Sequence, residues 1–308
     1  MPIPAEGRMD LISPLDPGIA RADLSLRRAR RAAWTGIAVL LATLAASGCA
    51  APAASTSVAD NPPSSALGAR VAAAGFVPLT LSTSLPKGFS SAAPDQLPLG
   101  SIYFNPADGR REVVLGSLAK TAVLIGDSQS EPADSWVRRG LEQAGYAVYF
   151  AGRGGTGYTV SNLAVRVHDY VTALRLGDWL LPYGDPALVV VQGGGNDATQ
   201  RSTDAAIAHG ESSLLAELAR TYPSAKKLVV GTLAKSTADG GGRRSEVDAL
   251  VGRTTAELGV PFIACGDWIS RYDLASQLAD GVHLKPAGKA RLAPVLAEAI
   301  KAKGFGID

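Results

Sequence analysis

The stretch "VLIGDSQS", Val123 to Ser130, runs from continuous apolar residues straight into Gly-Asp-Ser. A run that is apolar at every position, and not at alternate ones, implies a strand buried on both faces, as in a parallel sheet. The residues after it read in two ways. Gly, Asp and Ser are the residues that close a strand into a turn, yet a serine just past a buried strand is also placed to act as a nucleophile. The stretch alone leaves Ser128 open between the two, and partners elsewhere in the chain have to decide.

Working outward, further short apolar runs alternate with longer amphipathic patterns: "AVYFAG", "ALVVVQGG", "KLVVGTL" and "VPFIACG". The intervening "TDAAIAHGESSLLAELARTY" and "RSEVDALVGRTTAELG" are long enough for crossover helices. This pattern predicts an α/β domain with a five-stranded parallel sheet and helices on both sides. Ligands of such sheets bind beyond the carboxyl ends of the strands, where Ser128 falls.

A catalytic serine needs a base, a group that orients the base, and donors for a developing oxyanion. "GRGGTGYT" follows the second run, and its glycines let backbone N–H groups approach a ligand; an ordinary flexible loop is the alternative. No Gly-Lys-Ser/Thr follows, so it is no phosphate loop. "GGGND" follows the third run, where Asn196 can donate an amide N–H and Asp197 can brace the loop, although both are also plain turn residues. Near the C-terminus, Asp280 stands three residues before His283, close enough in a tight turn to fix the imidazole tautomer. His168 and His209 fall in amphipathic helical patterns and show no such carboxylate, though Asp169 adjoins His168. The Gly-x-Ser-x-Gly of α/β-hydrolases is missing, because Ser130 occupies the second glycine position.

Taken together, "GDS" at Gly126 to Ser128, the glycine loop ending in Gly157, "GGND" at Gly194 to Asp197 and "DGVHL" at Asp280 to Leu284 resemble the four blocks of the SGNH hydrolases, the GDSL esterase and lipase family. The resemblance covers the chain from about Thr121 to its end. It implies a flavodoxin-like three-layer α/β/α sandwich, Ser128 as nucleophile, His283 as general base then acid, and Asp280 as its orienter. It also implies an oxyanion hole from the Ser128 and Gly157 N–H groups and the Asn196 side chain, with Gly154 the alternative glycine and with Asp127 and Asp197 in support. Gln129 stands where commoner members carry leucine, a difference expected to mark subfamily and not chemistry.

Composition agrees with a packed enzyme. The 308 residues are 46% hydrophobic with a formal net charge of +2, enough for a sizeable core. The arginines cluster near the N-terminus in "LRRARRAAW", so nucleic acid is not expected as a partner. Two cysteines, Cys49 and Cys265, make no disulfide framework, and no Cys/His spacing fits zinc; neither metal nor cofactor is expected.

The arginines precede "AAWTGIAVLLATLAAS", and "SGCA" follows, with small residues directly before Cys49. This pattern resembles a bacterial lipoprotein signal, with Ala46 where a larger aliphatic residue is usual. The apolar run is shorter than the ~20 residues a spanning helix needs, which favours cleavage over an uncleaved anchor. The reading is therefore a signal over residues 1–49, lipidation of Cys49, and a flexible Ala/Ser/Pro-rich tether over residues 50–70. Residues 71–118 form an extension without an assigned role, in which "PADGR" turns a hairpin. Residues 119–308 form the hydrolase domain, held at the outer face of the cytoplasmic membrane.

The function expected is hydrolysis of acyl or acetyl esters, of cell-envelope glycans or lipids. The alternatives are an O-acyltransferase working through the same acyl-enzyme and a non-catalytic envelope-binding lipoprotein. Trp136, Tyr158, Trp179 and Trp268 fall near loops, but core packing is the expected role for most of them.

Overall fold

The computed structural model describes residues 92–307. The expected signal, Cys49, the tether and the extension up to residue 91 lie outside the described residues. Among these, no helix is long and apolar enough to cross a membrane.

The described chain begins with a hairpin, β1 (Ile102–Asn105) and β2 (Arg110–Val113), paired antiparallel around "PADG" as the sequence predicts. Asn105 and Asp108 accept from the Ala107 and Arg110 N–H groups and so shape the turn. Then come β3 (Thr121–Gly126), α1 (Trp136–Gln143), β4 (Ala147–Gly152), α2 (Tyr170–Leu176), β5 (Leu181–Pro182) and β6 (Leu188–Gln192). The remainder is α3 (Gly195–Thr199), α4 (Asp204–Thr221), β7 (Lys226–Val230), α5 (Gly242–Glu257), β8 (Phe262–Ile263), α6 (Trp268–Arg271) and α7 (Pro286–Ala302).

Five of the strands form one parallel sheet in the order β4-β3-β6-β7-β8. Numbered within the sheet this is 2-1-3-4-5, the flavodoxin-like order, whose switch point lies between the first and third strands. Those strands are β3 and β6, and the loops that carry Ser128 and Asn196 leave from them.

Strand periodicity divides each apolar run between two faces. Ala122, Leu124, Leu188, Val190, Leu228 and Val230 meet α1 and α7 through Trp136, Leu141, Leu292 and Leu296. Val123, Ile125, Val189, Val191 and Val229 meet α2, α4 and α5 through Tyr170, Leu214, Leu218 and Val251. The result is the expected three-layer sandwich. Each fully buried aliphatic side chain contributes about 1.5–3 kcal/mol, so the central strand β3 is rigid enough to hold a loop in place.

Sequence reading did not anticipate β5, which is only two residues long. It pairs parallel with β2 and turns the hairpin into a three-stranded sheet. Arg110 also reaches α4, pairing with Glu217 at 2.5 Å. The part of the extension from residue 102 onward is thereby bonded to the hydrolase segment.

Candidate active site

At the end of β3 the chain turns sharply. The Ser130 and Glu131 N–H groups donate to the Asp127 carbonyl at 3.0 and 2.9 Å, and the Gln129 N–H donates to Asp127 Oδ1 at 2.8 Å. Gly126 is required here, since a Cβ would lie 2.7 Å from Ser130 Oγ. Burial pushes the Asp127 carboxyl up to about 6, against the Gln129 N–H and the Arg244 charge, which pull it down. Ser130 is fully buried and its hydroxyl donates to Gln192 at 2.7 Å, so it is a structural residue. Ser128 stays partly exposed.

The structure brings His283 to Ser128 across 155 residues, with Nε2 at 2.8 Å from Oγ. Its other ring nitrogen, Nδ1, lies 2.7 Å from Asp280 Oδ2, while Asp280 Oδ1 accepts from the His283 and Val282 N–H groups at 2.8 and 3.1 Å. The His283 N–H, its ring and the Val282 N–H hold the Asp280 carboxyl well below the usual carboxylate range. An ionised Asp280 can only accept, so Nδ1 carries the proton and Nε2 is left to accept from Ser128.

The "GGGND" turn starts at Gly194, which takes φ 95°, a left-handed conformation that favours glycine. Asn196 Nδ2 donates to the Thr156 carbonyl at 2.8 Å, which uses one amide hydrogen and leaves the second. Asp197 braces the neighbouring glycine loop, not its own turn as the sequence suggested. Its carboxylate accepts from the Tyr158 and Thr159 N–H groups at 3.1 and 2.8 Å and from the Thr159 hydroxyl at 2.7 Å.

Gly157 departs from its expected place as a donor. Its N–H donates to the Val160 carbonyl at 2.9 Å, and a Cβ there would lie 2.2 Å from Asp197 Oδ2. Glycine at 157 makes room for the brace. The loop glycine against Ser128 is Gly154, where a Cβ would lie 3.3 Å from Ser128 Cβ. The Gly154 N–H donates to Glu131 Oε2 at 2.9 Å, and Glu131 also pairs with Arg153 at 3.0 Å. The Ser128 N–H has no hydrogen bond among the described residues.

His168 lies in a loop before α2, not in a helix, and it does have a carboxylate partner: Nδ1 is 2.9 Å from Asp178 Oδ2. That pair is separate from the serine. Trp136, Tyr158, Trp179 and Trp268 are buried core side chains.

Sequence reading missed two contributors. Arg244, at the start of α5, donates to the Leu233 and Gly195 carbonyls at 3.2 and 3.1 Å and sets a half-buried cation under the "GGND" turn. Gln129 donates through Nε2 to the Val282 carbonyl at 2.9 Å. Arg244 belongs to no motif and Gln129 stands at the position after "GDS" that marks subfamily, so only the fold reveals their contacts.

Comparison with known proteins follows this geometry. Residues 120–291 match the GDSL-like lipase/acylhydrolase family. No curated protein matches the chain. Among solved structures, the native aryl esterase of M. smegmatis is similar at 23% identity and a TM-score of 0.44, covering 60% of this chain and 99% of that one. A carbohydrate acetylesterase from Sinorhizobium meliloti is similar at 22% identity and a TM-score of 0.43, with the same coverage of 60% and 99%. A family two carbohydrate esterase from Clostridium thermocellum, in complex with cellohexaose, is similar at 16% identity and a TM-score of 0.46, covering 64% and 68%.

Proposed function

The chain belongs to the GDSL-like lipase/acylhydrolase family and is a carboxylic ester hydrolase, and from that premise we propose that it works through a covalent acyl-enzyme on Ser128. The observation that carries this reading is the unbroken contact from Asp280 through His283 to Ser128, with 2.7 and 2.8 Å between successive groups. A serine hydroxyl is a poor nucleophile at neutral pH and needs a base in contact as its bond forms.

In the proposed reaction Ser128 Oγ bonds to the ester carbonyl carbon while its proton passes to His283 Nε2. Negative charge moves onto the carbonyl oxygen, where the Ser128 N–H and the second amide hydrogen of Asn196 stabilise it. Collapse breaks the bond to the alcohol oxygen, which takes the proton from His283. Water then repeats the sequence, giving its proton to His283 and releasing the acid and the free serine. Asp280 holds the imidazole tautomer and stabilises the imidazolium in both halves. The dyad is open to solvent, with the His283 side chain 39% exposed, which gives water access to the acyl-enzyme.

The substrate class is an acyl or acetyl ester, and what supports a short acyl group is the close approach of Gly154 to Ser128, with the Glu131–Arg153 ion pair bonded to the Gly154 N–H beside it. Placement at the cell envelope, and esters of envelope glycans or lipids as substrates, rest on the sequence pattern before Cys49. A panel of esters varied in acyl length and alcohol tests this reading. It predicts kcat/KM that falls as the acyl chain lengthens; a preference for long chains would contradict it.

A further inference from the structure

Gln129 directly follows Ser128 and is 7% exposed, with both ends of its amide engaged. Oε1 accepts from Trp136 Nε1 at 3.2 Å, and Nε2 donates to the Val282 carbonyl at 2.9 Å. An indole nitrogen can only donate, so the atom facing Trp136 must be the oxygen, and the amide orientation is fixed. Trp136 itself is buried in the first turn of α1, its ring 5.8 Å from that of Trp268. A bonded path thus runs from the core through Gln129 to the residue before His283.

The loop at the far end is closed by the bridge between Leu278 and Leu284 and rests on the buried Leu284, but its tip is exposed. Asp280 and Gly281 are exposed, and the Asp280 bonds to Val282 and His283 are internal to the loop. Those bonds orient the imidazole within the loop but do not set the distance from the loop to the serine. Among the described residues, the hydrogen bonds that reach residues 279–283 from outside are those from Gln129 and Ser128.

We propose that Gln129 is a positioning residue that holds His283 Nε2 in contact with Ser128 by anchoring the Val282 carbonyl. This rests on the reading of Ser128 and His283 as nucleophile and base. Both acylation and deacylation draw on His283, so a loosened loop slows both steps, while groups that bind the substrate are untouched. Misplacement of reacting groups by a fraction of an ångström has large effects on rate and small ones on binding.

Two variants separate positioning from packing. Gln129→Met keeps the volume and loses both bonds; Gln129→Glu keeps the acceptor for Trp136 and loses the donor to Val282. Each is measured on its pH-independent plateau beside the wild type and Ser128→Ala, with melting temperatures. The expected result is a kcat lowered about tenfold or more in both variants, KM within about twofold, and a parallel fall in the rate of Ser128 labelling by a fluorophosphonate. The proposal is overturned if both variants keep kcat within about twofold of wild type while Ser128→Ala is inactive. It is equally overturned if only Gln129→Met loses activity and does so together with its melting temperature, for then Gln129 serves Trp136 alone. An active Ser128→Ala protein would instead remove the underlying assignment, and the proposal with it.

Discussion

Asp280 grips His283 twice from three residues away, through Oδ2 to the ring at 2.7 Å and through Oδ1 to the backbone N–H at 2.8 Å. A carboxylate held this way stays ionised throughout the range in which an ester hydrolase is assayed, so acidification does not act through Asp280. Asp280→Asn would keep the shape of the contact but favour the wrong tautomer of His283. The expected loss in kcat is roughly 10³–10⁴-fold with little change in KM, measured by steady-state kinetics. A loss under tenfold would reduce Asp280 to a loop residue.

Asn196 and Asp197 are adjacent but predict different failures. Asn196→Ala removes the proposed oxyanion donor and should lower kcat by about 10²–10³-fold while leaving KM nearly unchanged; its lost bond to the Thr156 carbonyl costs about 1 kcal/mol, or roughly 2–4 °C in melting temperature. Asp197 is fully buried and accepts three hydrogen bonds from Tyr158 and Thr159. Asp197→Ala strands those donors, at a cost of about 3 kcal/mol or a fall of roughly 6–12 °C in melting temperature. Thermal unfolding of both variants distinguishes them.

The fold was largely legible because parallel strands buried on both faces are written as unbroken apolar runs, and β3, β6 and most of β7 carry them, while β4 at the sheet edge keeps the apolar run with only partial burial. What was not legible depends on contacts that leave no pattern. β5 is two residues long, too short to show a period, and it pairs with a hairpin strand about 70 residues earlier in the chain. The serine, histidine and two aspartates of the site could be named because each belongs to a spaced motif. Gly157 could not be separated from Gly154 by sequence, since the choice turns on where single N–H groups point, and in the fold Val160 takes that of Gly157 and Glu131 that of Gly154. Gln129 was noted only as a departure from leucine and Arg244 not at all, because each acts on a carbonyl far along the chain, and any residue type supplies one.

Glu211, in α4, is fully buried and neither carboxyl oxygen has a hydrogen-bond partner. The nearby Thr254 offsets little, because its hydroxyl proton goes to the Leu250 carbonyl. Burial pushes the Glu211 carboxyl up to about 8. The folded protein therefore holds a proton that the unfolded chain releases near pH 4.5, so the contribution of Glu211 to stability is fully present below that pH and is lost as pH rises towards 8. Glu211→Gln, neutral at every pH, should raise the melting temperature by several degrees at pH 8 and by little at pH 4.5. Equal shifts at both pH values would contradict a buried ionisable group.

Cys49 should carry a lipid. Expression in a bacterium that processes lipoproteins should give a membrane-associated protein, and Cys49→Ala should abolish lipid attachment by mass spectrometry. Recovery of the wild type with a free Cys49 thiol would refute the anchor. Cys265 should resist alkylation in the folded protein, being fully buried with its thiol pushed up by that burial.

The most direct measurement is peptide mapping after reaction with a fluorophosphonate. The proton path from Ser128 to His283 predicts added mass on a peptide at Ser128, and a folded Ser128→Ala variant that neither labels nor turns over. Labelling at Ser130, whose hydroxyl is bonded to Gln192, or a Ser128→Ala protein that still hydrolyses esters at the wild-type rate, would contradict it.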